Sequence, residues 1–119
     1  MAADGKQATD ADEVTRLVAE RLNAGDVDGI LELYEADAVL AYPPESPTMG
    51  VEAIRAIYQA MAEQNVQFST EEKQLPTIYF EDLALTSTVA ADGTGMRVQV
   101  LRKQDDGTWK RIIDRPEVT

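Results

Sequence analysis

The sequence predicts an α+β domain in which a helical N-terminal half packs as one layer on a single curved, mostly antiparallel sheet from the C-terminal half. Three observations carry this. Up to about Gln64 the apolar residues recur at helical spacing: Val14, Leu17, Val18 and Leu22, then Val27, Ile30, Leu31 and Tyr34, then Ile54, Ile57, Tyr58 and Met61. Beyond that point the period changes to two, with Val66, Phe68 and Thr70 alternating with polar residues, as do Leu83, Leu85, Ser87 and Val89. Two Asp-Gly pairs mark hairpin turns: Asp92-Gly93 between a strand ending near Ala90 and one from Met96, and Asp106-Gly107 between Leu101 and Trp109.

Taken in order, residues 1–8 are small and polar and read as a flexible tail, leaving residues 9–119 as a single domain. The first helix has Thr9 or Asp10 as N-cap, with an acidic residue three positions on, a capping-box pattern. Gly25 suits the left-handed residue that ends it, and Asp26 can cap the second helix, which carries Tyr34 on its apolar face. Residues Asp37 to Tyr42 are short, apolar and followed by prolines, and read as a strand with Asp37 bracing the turn before it. Pro43, Pro44 and Pro47 make a stiff loop, and Gly50 opens the third helix. No internal repeat or linker interrupts the chain.

Composition narrows the chemistry. At 119 residues, 44% of them hydrophobic, the chain can bury a core without metals or crosslinks. It has neither cysteine nor histidine, which removes thiolate chemistry together with the commonest metal ligand and the commonest general base. A base must then be a carboxylate, or else a lysine or tyrosine. No calcium-loop spacing or glycine-rich phosphate loop is present, so no metal and no cofactor is expected. A net charge of −11 argues against nucleic acid and anionic membrane surfaces as partners. No apolar run reaches the roughly 20 residues of a membrane span, and the N-terminus lacks signal-peptide regions, so a cytoplasmic protein is expected.

The stretch Leu22 to Tyr58 contains LNAGDVDGI, YEADAVLAYP and MGVEAIRAIY, in that order. These motifs resemble the bacterial ketosteroid isomerases, within the nuclear transport factor 2-like superfamily that also holds polyketide cyclases and limonene epoxide hydrolase. With the downstream hairpins the likeness runs from about residue 10 to 116. It implies a cone of three helices over a strongly bent sheet, an apolar pocket inside, and a dimer. It does not by itself imply activity, because such folds host catalysts and non-catalysts alike.

Position by position, the isomerases' catalytic groups have changed. The base that precedes the proline after the first strand is an aspartate there and Tyr42 here. The oxyanion-hole tyrosine and protonated aspartate correspond to Val18 and Gln99. Tyr34 and Tyr58 match tyrosines that buttress the oxyanion hole in some members. A phenol with a reference pKa near 10 is no substitute for a carboxylate base at neutral pH, so ordinary steroid isomerisation is not expected. The epoxide hydrolases' Arg-x-Asp is Arg97-Val98-Gln99 here, without the carboxylate.

What remains is Asp114. Period-two counting puts Ile112, Asp114 and Pro116 on one face of the last strand and Trp109, Arg111, Ile113 and Arg115 on the other. The resemblance turns the first set toward the cone, where cyclases and limonene epoxide hydrolase use a last-strand aspartate in acid–base chemistry. The expected site is Asp114 as proton shuttle, Tyr58 and Gln99 polarising the substrate, and Val18, Tyr34, Tyr42, Met61 and Ile112 lining the ligand. Its ligand would be small, apolar and flat, a steroid or polyketide type. Alternatives stand beside this. Asp114 can instead pair with Arg97 or Arg115, and the tyrosines can simply satisfy one another. Met49 and Met61 suit core filling, Glu71-Glu72 a solvated surface, and Asp105 and Asp106 a turn. Trp109 and Ile113 on the outer face predict a homodimer through the sheet. A non-catalytic dimeric binding or accessory domain is the reading from another class.

Overall fold

The first helix begins where its cap does. Asp10 accepts the Asp12 N–H and the Glu13 side chain returns to the Asp10 N–H, a capping box that starts a 3-10 turn, Ala11–Glu13, leading into α1 (Val14–Asn23). This computed structural model describes residues 8–70, 72–90, 93 and 95–118, without the side chains at 117 and 118. Gly25, at φ +74°, turns the chain, and Asp26 caps α2 (Val27–Leu31) by accepting the Gly29 N–H at 3.0 Å. Gly50, at φ +91°, occupies a backbone region closed to other residues and starts α3 (Val51–Glu63).

The strands are β1 (Tyr34–Leu40), β2 (Thr48–Met49), β3 (Lys73–Gln74), β4 (Ile78–Phe80), β5 (Leu83–Val89), β6 (Met96–Lys103) and β7 (Trp109–Val118). They form one seven-stranded sheet in the order β2-β1-β7-β6-β5-β3, with β4 also on β5. The pair β1–β7 is parallel and the others antiparallel. The helices pack on the concave side around Leu17, Leu22, Ile30, Leu33, Ile54 and Leu101. The α+β cone is therefore as expected. No helix among the described residues is long and apolar enough to cross a membrane.

Several local expectations are overturned. Tyr34 opens β1 instead of lying on α2, whose last residue is Leu31. Asp37 lies exposed within β1 and braces no turn, and Tyr42 lies beyond the strand's end. The segment with Val66, Phe68 and Thr70 is coil, pinned because the Asn23 carboxamide bonds both the Phe68 carbonyl and its N–H, at 2.9 and 2.8 Å. Met49 fills no core; it is 70% exposed on the edge strand. Ala8, placed in the tail, is buried with its carbonyl accepting the Trp109 N–H, while residues 1–7 lie outside the described ones.

The largest correction is on β7. Val100 opposes Ile113 but Leu101 opposes Arg111, so Ile112 is an extra residue, a β-bulge. A bulge reverses the alternation on one side of itself. Trp109 and Arg111, expected on the outer face, are buried, whereas Ile113 stays outside. At the turns, Gly107 sits at φ +86° and Asp106 accepts from Thr108, as the Asp-Gly reading expected. Asp92 lies outside the described residues, and Gly93 has φ +75°.

Candidate functional site

Three neighbouring strands place one polar residue each in a row on the concave face. Thr86 on β5 opposes Gln99 on β6, and Gln99 opposes Asp114 on β7. All three are buried. The Thr86 hydroxyl donates to Gln99 Oε1 at 2.8 Å, which orients the amide so that Nε2 faces Asp114 Oδ1 at 3.4 Å. Asp114 therefore faces the cone as expected, but neither Arg97 nor Arg115 is its partner. Its partner is Arg111, delivered by the bulge, with Nη1 3.0 Å from Oδ2.

The phenols complete the cluster. Tyr34 donates to Asp114 Oδ2 at 2.6 Å and accepts from Arg111 Nη1 at 3.0 Å. Its hydroxyl also lies 2.6 Å from that of Tyr58. A phenol has one hydrogen, and Tyr34 commits its own to Asp114, so Tyr58 is the donor in that pair. Tyr58 then presents oxygen lone pairs, not an N–H or O–H, to a ligand. Arg111 Nη2 donates to Thr15 on α1 at 3.1 Å, its Nε is buried without a partner, and its guanidinium stands 5.5 Å from the Tyr34 ring centroid.

Electrostatics follow from this packing. Burial first, then the charge of Asp114, push the Tyr58 phenol up to about 12. The same two causes hold Tyr34 well above its ordinary range. Burial opposes the charge on Arg111, yet the Asp114 carboxylate and both phenols outweigh it and keep the guanidinium above its usual value. The Asp114 oxygens are unequal. Oδ2 accepts from Tyr34 and Arg111, whereas Oδ1 has only the long contact with Gln99.

A cavity of about 190 Å³ opens onto this cluster. Val18, Leu40, Met61 and Phe68 supply apolar wall, and Tyr58, Gln99, Arg111 and Asp114 supply polar wall. Tyr42 borders the same cavity but is 45% exposed, so it sits at the mouth. Of the expected ligand-lining residues, Val18, Tyr42 and Met61 border it, while Tyr34 lies behind Tyr58 and Ile112, at the bulge, does not reach it. Sequence reading missed Thr15, Thr86 and Arg111. Glu72, taken as solvated, also lines the cavity, joined to Arg97, while Glu71 lies outside the described residues.

A cone of this kind defines a class. The chain superposes on a ketosteroid isomerase-like protein from Erwinia carotovora atroseptica with TM-score 0.68 at 17% identity, covering 92% of this chain and 99% of that one. A proposed dehydratase of the nuclear transport factor 2-like family from Streptomyces avermitilis gives 0.68 at 15%, covering 91% and 94%. A protein of unknown function with a cystatin-like fold from Nostoc punctiforme gives 0.68 at 19%, covering 91% and 87%. At these identities the likeness is one of fold. No curated protein matches the sequence. Residues 14–112 match the model of the SnoaL-like domain, and the chain belongs to that family, within the nuclear transport factor 2-like superfamily.

Proposed function

We propose that this protein binds a small, largely apolar carbonyl compound in its cavity and moves a proton on it, an isomerase- or cyclase-type reaction. Asp114 Oδ1 takes a proton from carbon beside the carbonyl, the bonding electrons pass to the carbonyl oxygen, and the same carboxyl returns the proton elsewhere on the ligand. Gln99 Nε2, with an N–H beyond the one facing Asp114, stabilises the developing oxyanion. Tyr58 accepts a hydrogen bond from a ligand hydroxyl. Arg111, at the cavity wall, and Tyr34, behind Tyr58, position Asp114 through its Oδ2.

The observation that carries this reading is the inequality of the two Asp114 oxygens at the wall of an apolar cavity. Cavity size refines the ligand. A site of about 150 Å³ accommodates benzene, and drug-sized ligands occupy roughly 300–1,000 Å³. At about 190 Å³ this cavity suits one ring or a compact pair, and a four-ring steroid would protrude past Tyr42. The test needs no known product. A panel of cyclic ketones is screened by thermal shift, since a ligand of the native state raises apparent stability. Deuterium uptake at the α-carbon of each binder is then followed by NMR in heavy water. Uptake with wild-type protein and none with Asp114→Asn supports the assignment; equal uptake overturns it.

The second reading is a non-catalytic binding or accessory domain, favoured by the pairing of Asp114 with Arg111. Binding without any exchange would select it. With either reading goes a homodimer through the outer sheet face. Trp109 does not support it, being buried, but Ile78, Leu85, Val100, Ile113 and Val39 stand directly opposite one another across five strands. Ile78, Leu85 and Ile113 are exposed. A solution mass of two chains at micromolar concentration is expected, and a monomer would refute it.

A further inference from the structure

The coil between α3 and β3 crosses the cavity, bringing Phe68, Ser69 and Glu72 to its wall. Arg97 on β6 meets it there. Arg97 Nε donates to Glu72 Oε1 and Nη2 to Oε2, both at 2.9 Å, while Nη1 reaches the Pro116 carbonyl at 3.1 Å. The guanidinium also lies 5.7 Å from the Phe68 ring centroid. The Glu72 side chain is 10% exposed and that of Arg97 32%, so the pair is partly enclosed, more so than a salt bridge standing free on the surface. Fork-to-fork geometry commits the Arg97 edge that would otherwise grip a ligand carboxylate.

The cavity thus has two cations in its wall, and each is cancelled by its own carboxylate: Arg111 by Asp114 and Arg97 by Glu72. An anionic ligand would lose its hydration and meet a carboxylate beside each guanidinium. A neutral ring compound incurs neither cost. We propose that Glu72 is the specificity-determining residue of the cavity: by holding the Nε–Nη2 edge of Arg97 it restricts the site to uncharged ring compounds, and its loss opens that edge to a ligand carboxylate. This rests on the reading that ligand occupies the cavity.

Benzamide and benzoate are nearly isosteric single-ring probes that differ in charge, and both match the cavity's size. Their dissociation constants are measured by amide NMR titration of the full chain, and the readout is the ratio between them. Wild type should favour benzamide. Glu72→Gln should move the ratio toward benzoate by roughly tenfold or more, the low end of a charge-assisted hydrogen bond. The double change Glu72→Gln with Arg97→Gln should return the ratio toward the wild-type value. A variant that merely folds less well weakens both probes together and leaves the ratio in place, so an unmoved ratio counts against the inference. So does a wild-type preference for benzoate, or a benzoate gain that survives loss of Arg97. If no variant binds either probe at the cavity, the cavity reading itself fails and takes this inference with it. Benzamide binding with an unmoved ratio sinks this inference alone.

Discussion

The two faces of the sheet invert the usual arrangement. Across β5, β6 and β7 the concave face carries Thr86, Gln99 and Asp114 side by side, buried and polar. One row away, on the convex face, stand Leu85, Val100 and Ile113, apolar and partly or largely exposed. The difference teaches that polarity inside and apolarity outside each require an explanation beyond the monomer's own stability. Buried polar groups cost free energy unless they are satisfied, and here Arg111 and Tyr34 satisfy one oxygen of a carboxylate, with Tyr58 bonded in turn to Tyr34, while the second oxygen is left for the cavity. Exposed apolar side chains gain roughly 1.5–3 kcal/mol each when fully covered, and a second copy would cover them.

The comparison is broken most directly at Asp114. The change Asp114→Asn should lower α-carbon deuterium exchange by about 10²–10⁴-fold, the usual contribution of a general base. It should also lower stability by roughly 3–5 kcal/mol, because Arg111 is left as an uncompensated buried charge. Chemical denaturation measures the second effect. Adding Arg111→Met to Asp114→Asn should recover much of the stability and none of the exchange, which separates the structural task of the pair from its chemical one.

The next effect is in the phenols and depends on pH. Tyr58 has a folded value of about 12, against a phenol's ordinary value of about 10. Between these values the unfolded chain loses the proton while the folded chain keeps it, so stability is fully present below pH ~10 and falls as pH rises toward ~12. A shift of two units corresponds to about 3 kcal/mol. Denaturation midpoints across pH 9 to 12 (roughly the window of the shift) should fall steeply in wild type and less so in Tyr58→Phe. A flat wild-type profile would mean that the concave cluster is wetter than its packing implies.

On the convex face, Ile113→Glu should weaken self-association by about 30-fold, corresponding to a hot-spot loss of roughly 2 kcal/mol. It should leave deuterium exchange intact, and sedimentation equilibrium reads the association. An unchanged dimer would move the interface away from this row. The smallest effect belongs to the cavity mouth. Wild type should not isomerise a Δ5-3-ketosteroid at a useful rate, and Tyr42→Asp should raise whatever residual rate exists. Full activity in wild type would overturn the assignment of Tyr42 to the lost base.

By itself the sequence determined whatever depends on a few adjacent residues. The capping box of Asp10 and Glu13, the Asp26 cap, the left-handed glycines and the Asp106-Gly107 turn are legible because dihedral preferences and short-range hydrogen bonds act within a turn or two. That Asp114 lies on the opposite face from Ile113 was also legible, since period two holds on their side of the bulge, but it took the family resemblance to turn the Asp114 face toward the cone. Only the tertiary structure decided what lies on the other side. The extra residue at Ile112 turns Trp109 and Arg111 inward, and no local signal marks it. The contacts that accompany it are far off in the chain: Arg111 bonds Thr15 and Tyr34, and Trp109 takes the carbonyl of Ala8 and packs edge-on against Tyr79. The union of Glu72 with Arg97 is likewise a meeting of distant segments, so a charge that reads as surface in sequence becomes part of the cavity wall in the fold.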